Sequence, residues 1–276
     1  MSKIIDEFIK SALKEDIPTI DVSSEFLFTD QVSEGTFTAK EDCVISGIDV
    51  AARVFEIVDS SVVFKIINHN GSFVETGTVI AIVQGKTKSI LQAERLALNI
   101  MQRMSGIASM TRLFVSECKG TNTVILDTRK TTPNLRLFEK QAVIHGGGVN
   151  HRMSLSDQVM LKDNHINAAE SITNAVEIVR NQVGPDMKIE VEVETFEQYI
   201  EAVNTSCDII MLDNMTTNLM EKCINYNHDK FLEASGNMTL PRIKEVASTG
   251  VDSISVGALT HSYKSADISL KFMKRG

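Results

Sequence analysis

The feature that most restricts the fold of this 276-residue chain is a regular alternation of apolar runs and helical stretches after residue 120. The apolar runs, rich in β-branched residues, fall at 124–126, 142–144, 159–161, 189–193, 209–212, 231–234 and 253–256. Helical patterns fall at 169–182, 195–205, 216–226, 239–248 and 262–273. Strands that alternate with helices predict βαβ units and a parallel sheet. Seven such strands can close into a barrel or lie open as a doubly wound sheet.

The first hundred residues have a less regular order of helical and strand-like patterns, typical of an α+β domain. Helical patterns at 2–15 and 48–58 accompany strand-like runs at 35–45, 61–67 and 78–83, and Asn70-Gly71 signals a tight turn. A long helical pattern over 88–104 is interrupted at Gly106 and resumes over 108–118. We therefore predict a domain boundary near residue 105.

Charge and composition exclude several classes of protein. A net charge of −8 disfavours nucleic-acid binding, because a phosphate backbone requires a basic surface. No apolar run approaches the ~18–20 residues that span a membrane. The four cysteines form no C-x-x-C pair, so we expect reduced thiols in a cytoplasmic protein. From the charge and the short apolar runs, we expect that it binds neither nucleic acid nor membranes.

Polar residues or glycines follow almost every predicted strand. They are Asp127, Arg129 and Lys130, then Lys162 and His165, then Glu194, Asp213, Ser235, Gly236 and Gly257. In a βα-barrel the carboxyl ends of all strands face one mouth, where active sites lie. The alternative, that strand ends simply reach water, explains one such residue better than six in succession. The pattern therefore favours a barrel with a functional site at its mouth.

The charged residues in this region divide by sign. The cations are Arg129, Lys130, His151, Arg152, Lys162 and His165, and the acids are Glu194 and Asp213. In a chain that is acidic overall, a local cationic cluster predicts a site for a small polyanion, and arginine suits carboxylates and phosphates. Salt bridges to neighbouring helices are the alternative, but the two adjacent basic pairs have no local acidic partner.

Two late strand ends are candidates for binding phosphate. Ser235-Gly236 and Gly257 end the last two strands, where barrels commonly hold phosphate, and His261 follows one turn later. Gly146-Gly147-Gly148 lacks the spacing of known phosphate loops, so a tight turn is an equally good interpretation.

Metal binding by histidine is not indicated, because the histidines show neither H-E-x-x-H nor pairing with cysteine. A Mg²⁺ ion held between substrate phosphates and Glu194 or Asp213 fits the preference of that ion for oxygen ligands.

Ten short motifs together carry a resemblance to a known family. They are ALKED at 12–16, ERLALN at 94–99, SGIA at 105–108, DTRKTTP at 127–133, GGGVNHR at 146–152, LKDNH at 161–165, VEVE at 191–194, MLDN at 211–214, EASG at 233–236 and SVGALTH at 255–261. In order and spacing, the sequence resembles the quinolinate phosphoribosyltransferase family. The resemblance runs nearly from end to end.

The resemblance implies an α/β fold of two domains. It implies an N-terminal α/β sandwich domain of residues 1–105, against which residues 267–276 would pack. It also implies a C-terminal seven-stranded α/β barrel of residues 106–266, TIM-like, as in type II phosphoribosyltransferases. Members of the family are homodimers in which the sandwich domain of one subunit covers the barrel mouth of the other.

The resemblance also implies roles for individual residues. Quinolinate would be bound by Arg129, His151, Arg152 and Lys162, with Arg95 donated across the dimer interface. Phosphoribosyl pyrophosphate would be bound by Lys130, Glu194, Asp213, Ser235, Gly236, Gly257 and His261, with Mg²⁺ held through Glu194 and Asp213 directly or through water. The implied catalytic set is Lys130, Lys162, Glu194 and Asp213.

The implied activity is pentosyl transfer with decarboxylation, a step of NAD biosynthesis. The ring nitrogen of quinolinate attacks C1 of the ribosyl donor as pyrophosphate leaves, and the positive pyridinium ring then accepts the electrons of the departing carboxylate. The cationic cluster matches a dianion, and the acids would stabilise positive charge on the sugar. No protein nucleophile is required.

Departures from the family pattern affect loops rather than charges. Asn134 replaces a usual glycine, and asparagine tolerates a left-handed backbone better than other residues do. Residues 18–20, Gln141 and Ser154 also depart from the pattern.

Three other functions stay open at this point. One is the homologue encoded with molybdenum-transport genes, in which the stretch that is intact here from Lys162 to His165 is degraded. Another is nicotinate phosphoribosyltransferase, whose substrate has one carboxylate and needs fewer cations. The third is a non-catalytic anion-binding protein, which retention of Glu194 and Asp213 disfavours.

Overall fold

A computed structural model describes residues 3–226 and 229–273. This part of the chain divides into two compact units. The first unit contains the residues up to Met110, residues 144–146 and the chain from Tyr263 onward. The second unit contains residues 111–143 and 147–262. The boundary follows Met110, whereas the sequence analysis places it near residue 105.

The elements up to the boundary alternate irregularly between helix and strand. They are α1 (Lys3–Asp16), α2 (Val22–Leu27), β1 (Val32–Ala39), β2 (Cys43–Val44), α3 (Ile48–Val58), β3 (Val63–Ile66), β4 (Phe73–Val74), β5 (Val79–Lys86) and α4 (Thr87–Glu117). Local sequence accounts for several of them. Asp21 caps α2, because its Oδ1 accepts the backbone N–H groups of Ser23 and Ser24, each at 3.1 Å.

The remaining elements follow the predicted βα rhythm. They are β6 (Val124–Leu126), α5 (Arg136–His145), β7 (Val159–Leu161), α6 (Asp163–Ala168), α7 (Ile172–Val183), β8 (Ile189–Val193), α8 (Phe196–Val203), β9 (Ile209–Asp213), α9 (Thr217–Ile224), β10 (Phe231–Ser235), α10 (Leu240–Ser248), β11 (Ser253–Ser255), α11 (Ala258–His261) and β12 (Ile268–Phe272). Among the described residues, no helix is long and apolar enough to cross a membrane.

The second unit is built on a parallel sheet of six strands in the order β6-β11-β10-β9-β8-β7. Val149 adds a single parallel bridge to Leu126 beside β6. The predicted strand at 142–144 is wrong, because those residues end helix α5. Ala142 and Val143 are buried there with Phe138, four residues earlier. A short apolar run fits a buried helix as well as a strand, so periodicity alone did not separate them.

The first unit contains an antiparallel sheet in the order β12-β1-β5-β3. The predicted helix over 262–273 is wrong: α11 ends at His261, and β12 pairs with β1, Ile268 opposite Ala39 and Phe272 opposite Gly35. Apolar and polar residues alternate through β12, the period of a strand. Residues 274–276 of the predicted C-terminal segment lie outside the described residues.

Phenylalanine side chains form the centre of this first unit. Phe37 lies edge-on to Phe55 with ring centroids 5.9 Å apart, and Phe64 lies 5.3–5.4 Å from both. Phe37 and Phe55 are almost completely buried. The sheet and α3 are therefore joined by direct aromatic packing.

Helix α4 is continuous over 31 residues, so the predicted interruption at Gly106 is wrong. Gly106 instead permits a close backbone approach within the first unit. A Cβ atom at this position would lie 2.1 Å from the carbonyl oxygen of Lys264 and 3.0 Å from Cα of Ser265. Backbone atoms cannot move aside as a flexible side chain can, and so only glycine fits.

We predict that Gly106→Ala destabilises the protein although alanine is the better helix former. The clash with the Lys264 carbonyl should cost about 1–3 kcal/mol of the free energy of unfolding, as overpacking does. Urea unfolding followed by circular dichroism measures it. Asn99→Ala, at an exposed position of the same helix, is the control and should be neutral or slightly stabilising. Equal stability of both variants would contradict the close approach.

Candidate active site

A cavity of about 460 Å³ opens at the carboxyl ends of the parallel strands in the second unit. Its lining residues are Thr128, Arg129, Lys130, His151, Arg152, Met160, Lys162, Glu192, Met211, Asp213, Ser235 and Ser255. The predicted site residues among them are Arg129, Lys130, His151, Arg152, Lys162, Asp213 and Ser235. The six strands of the sheet and the segments next to them thus bring together side chains up to 127 positions apart, from Thr128 to Ser255.

Two arginines form the cationic wall of the cavity. Arg152 is held by a hydrogen bond from Nη1 to the carbonyl of Gln158 at 2.9 Å. Burial and the neighbouring Arg129 charge lower the pKa of Arg152. Arg129 has a buried Nε atom without a hydrogen-bond partner among the described residues. Two partly desolvated guanidinium groups that repel each other favour a bound anion strongly.

Lys162 stands between this wall and an acid that the sequence analysis did not select. Its Nζ forms an ion pair with Glu192 Oε2, and both side chains line the cavity. Lys162 is the N-cap residue of α6, and its backbone N–H donates to Nδ1 of His165 at 3.1 Å. His165 therefore supports the start of the helix and is not among the lining residues.

His151 lies at the floor of the cavity with both ring nitrogens engaged. Nδ1 accepts the backbone N–H of Arg152 at 2.7 Å. Nε2 lies 3.1 Å from Glu190 Oε2 and 3.5 Å from Glu233 Oε2. The side chain is only 7% exposed. The ring can therefore offer a ligand its face and carbon edges, rather than the charged nitrogen that the sequence analysis expected.

A buried ion pair fixes the backbone of His151. Lys140 Nζ pairs with Asp127 Oδ1, and both side chains are almost fully buried. Asp127 Oδ1 also accepts the N–H of His151 at 2.9 Å, while Lys140 Nζ donates to the carbonyl of His151 at 2.8 Å. Burial raises the pKa of Asp127 to about 6 against the opposing effect of Lys140, so the carboxylate is ionised at neutral pH.

The acidic side of the site is set by neighbouring strands. Asp213 ends β9, and Glu194 follows β8 as an exposed residue. Because Val193 pairs with Leu212, the two acids lie level with each other along the sheet edge. Two accessible carboxylates at one edge fit a Mg²⁺ ion whose remaining ligands are water or phosphate oxygens.

The loop after β9 is fixed by its own asparagine. Asn214 has a left-handed φ of 53°, and its Nδ2 donates to Asp213 Oδ2 at 2.7 Å. Gly236 in the adjacent loop has φ of 87°, and a Cβ there would lie 2.2 Å from Oδ1 of Asn214. A side chain at position 236 would clash with Asn214, so the loop next to Asp213 requires glycine there. Asn134 has a φ of 64°, the left-handed conformation expected for it.

Gly257 brings two other predicted residues together. A Cβ on it would lie 3.0 Å from Cδ of Lys130 and 3.1 Å from Nε2 of His261. Thr260 Oγ1 donates to the carbonyl of Lys130 at 2.9 Å. Glu194, Gly236, Gly257 and His261 border the strand ends but are not among the lining residues. Arg95 belongs to the first unit, where its side chain is exposed on α4.

Glu190 and Glu192, on the same face of β8 as the predicted Glu194, are residues that sequence reasoning missed. The signal is the strict alternation of β8 and the next residue, Ile-Glu-Val-Glu-Val-Glu over 189–194. Side chains alternate between the faces of a strand, so the glutamates share the face opposite to the apolar residues. Their burial falls along the strand: Glu190 is fully buried, Glu192 partly exposed and Glu194 exposed.

The fold and the site define an α/β-barrel protein with an anion-binding pocket at the strand ends. Family models match both parts of the chain: "Quinolinate phosphoribosyl transferase, N-terminal domain" at residues 21–105 and the corresponding C-terminal domain at residues 107–271. The chain belongs to the quinolinate phosphoribosyltransferase family.

Individual relatives agree with this assignment. The "probable nicotinate-nucleotide pyrophosphorylase [carboxylating]" of Synechocystis is 42% identical, over 98% of this chain and 93% of the relative. The Bacillus subtilis protein of the same description is 40% identical, over 98% and 92%. The crystal structure of NadC from Streptococcus pyogenes superposes with a TM-score of 0.92 at 40% identity, covering 98% of this chain and 97% of the other. The predicted family and fold class are thus confirmed.

We predict that Lys140→Met destabilises the second unit strongly. The substitution leaves the Asp127 carboxylate buried without its ion-pair partner, which should cost about 3–5 kcal/mol of unfolding free energy. Lys188→Met is the matched control, since Lys188 is 64% exposed and its pair with Asp208 should contribute less than about 1 kcal/mol. Chemical unfolding of both variants measures the difference. Equal losses of unfolding free energy would show that the buried pair stabilises the protein no more than the exposed pair does.

Proposed function

We propose that this chain transfers the phosphoribosyl group of phosphoribosyl pyrophosphate to quinolinate and decarboxylates the adduct. The products are nicotinate mononucleotide, pyrophosphate and CO₂, as in de novo NAD biosynthesis. One observation supports this above others: a single cavity joins Arg129, Arg152 and Lys162 to Asp213 and Ser235, in a chain of the quinolinate phosphoribosyltransferase family. A cationic side for a dianion thus adjoins an acidic side for a ribosyl donor.

The cationic side suits quinolinate because this pyridine has two adjacent carboxylates. Arg129 and Arg152 provide planar guanidinium groups, each of which can bind one carboxylate through two parallel hydrogen bonds. Lys162 would exchange its pairing with Glu192 for a carboxylate of the substrate. His151 would contact the ring by packing, since its nitrogens are engaged within the protein.

The acidic side suits the ribosyl donor. The transition state carries positive charge on the sugar, which Glu194 and Asp213 would stabilise electrostatically. Lys130 would bind the leaving pyrophosphate, while Ser235, Gly236, Gly257 and His261 would bind the 5′-phosphate and neighbouring groups. When bound through Glu194 and Asp213, Mg²⁺ would neutralise charge on the pyrophosphate.

The later decarboxylation needs little from the protein. The bond between the ring and the carboxylate beside nitrogen breaks, and its electron pair remains on the ring, where the adjacent pyridinium nitrogen stabilises it. A proton then replaces CO₂ at that carbon. The arginines would hold the other carboxylate in place during this step.

We further propose a homodimer in the cytoplasm, with Arg95 of one subunit completing the quinolinate site of the other. Arg95 is exposed on α4. In the same unit Val22, Phe26 and Leu27 are 65–78% exposed, an apolar face that an assembly would cover. All four cysteines are buried free thiols, which fits a reducing compartment.

We predict that the protein converts quinolinate, but not nicotinate, when it is incubated with phosphoribosyl pyrophosphate and Mg²⁺. Two carboxylates are needed to match the cationic wall, and the second is released as CO₂. Chromatography of the nucleotide product together with ¹⁴CO₂ release from carboxyl-labelled quinolinate measures the reaction.

Two controls accompany this assay. Chelation of Mg²⁺ should stop turnover, and Lys162→Ala should give no product while retaining its circular dichroism spectrum. Product from nicotinate alone would refute the choice of substrate. Full activity of Lys162→Ala would remove that residue from the site.

We predict that two inactive variants, Arg95→Ala and Arg129→Ala, regain partial activity when they are mixed. If each site takes Arg95 from one subunit and Arg129 from the other, heterodimers contain one intact site, and random exchange restores up to about a quarter of wild-type activity. Subunit exchange is followed with two affinity tags. Exchange without recovered activity would refute the shared site.

A further inference from the structure

Beneath the cavity lies a group of three titratable side chains, of which two, Glu190 and Glu233, have no part in the proposed reaction. One ligand atom each of His151, Glu190 and Glu233 lies within 4.8 Å of the others. Glu190 and Glu233 are at most 1% exposed. Glu190 Oε2 also accepts a hydrogen bond from Gln158 Nε2 at 2.6 Å, and Ser255 Oγ donates to Glu233. Glu190 Oε1 is buried without a partner among the described residues.

These contacts fix how many protons the group can hold. Because Nδ1 of His151 accepts the Arg152 N–H, the ring carries its proton on Nε2. That single N–H faces two carboxylates, and two buried like charges at this distance disfavour full ionisation. One further proton therefore belongs on the carboxyl pair.

The pKa of Glu190 agrees with a proton on the carboxyl pair. Burial and the charge of Glu233 raise the pKa of Glu190 to about 7. This carboxyl group therefore binds a proton more tightly than an exposed glutamate does.

The group is connected to the substrate side of the cavity. Glu190 accepts a hydrogen bond from the side chain of Gln158, and the backbone carbonyl of Gln158 accepts one from the Arg152 guanidinium. The titratable groups that act on Glu190 are His151 and Arg152, from the segment before β7, and Glu233 from β10. Its register neighbours on β7 and β9, Met160 and Ile209, are uncharged. A dianion bound at Arg152 adds negative charge above a carboxyl group that is already near its titration point.

We propose that Glu190 and Glu233 hold one proton between them and that binding of the quinolinate dianion above them strengthens its retention, so that substrate binding takes up a proton. The inference depends on the proposed function, because it names the same substrate. Its sign follows from linkage: the bound form is more protonated than the free form, so affinity falls as the pH rises above about 7.

The test is isothermal titration of the wild-type protein with quinolinate, without the ribosyl donor, so that no reaction occurs. Titrations in HEPES and in Tris at about pH 7.5 differ in buffer ionisation heat, and the difference gives the protons taken up per site. We expect about half a proton, and a dissociation constant that rises about three- to tenfold between about pH 6.5 and about pH 8.5.

Glu190→Gln removes the titrating group and should abolish the uptake and flatten the pH dependence. Glu177→Gln is the matched control, because Glu177 is exposed on α7, and it should keep the wild-type uptake. Circular dichroism checks that each variant is folded. Glu233→Gln is the second variant and should also reduce the uptake.

Three outcomes would overturn the inference. Wild-type binding of quinolinate without proton uptake refutes it and leaves the proposed function intact, whatever the variants do. Unchanged uptake in folded Glu190→Gln places the proton elsewhere. If quinolinate does not bind at all, the proposed function fails and the inference fails with it.

Discussion

Burial of charge inside the barrel is the constraint on which the site depends. Asp127, Lys140, Glu190 and Glu233 are each at most 1% exposed, and the penalty for taking an ion out of water is several kcal/mol. Each group therefore has close partners: Asp127 with Lys140, and the glutamates with His151. Because these partners also hold the backbone of His151 and, through Gln158, the side chain of Arg152, internal charge pairing fixes the cavity wall. The guanidinium groups above this frame are the charges left for a ligand.

The sequence predicts most of the barrel because its rhythm is regular. The strands β6, β7 and β8 begin and end where the apolar runs do, since βα units repeat one pattern of apolar strand, polar strand end and helix. The error at 142–144 arises because three consecutive apolar residues fit both periods. At 262–273 the alternation that marks a strand covers only the five residues of β12, and pairing with β1 settles their structure. Gly106 shows the same limit, because only the folded chain reveals the backbone that approaches the helix there.

The sequence predicted which residues line the cavity better than it predicted what each of them contacts there. Strand ends converge in any parallel barrel, so the positions of Arg129, Lys162 and Asp213 follow from topology once the strands are found. Depth does not follow, because sequence gives the sign of a charge but not how far it lies from water. His151 counted as a free cation, yet its nitrogens are consumed by Arg152 and the glutamates. The exposed Arg95 carries no local signal, and only comparison with a family suggests a role for it.

The contrast between the whole protein and its cavity bears on selectivity. The chain carries a net charge of −8, whereas the cavity is lined by two arginines, two lysines and a histidine against two acids, Glu192 and Asp213. At physiological ionic strength charges are screened beyond about 8 Å, so an approaching ligand responds to the charges nearest to it. A long polyanion would meet the acidic surface over most of its length. A compact dianion that enters the cavity lies within the screening distance of the cationic wall. Small size and two adjacent charges are therefore what this arrangement selects, and an acidic protein can bind an anion without becoming a general polyanion binder.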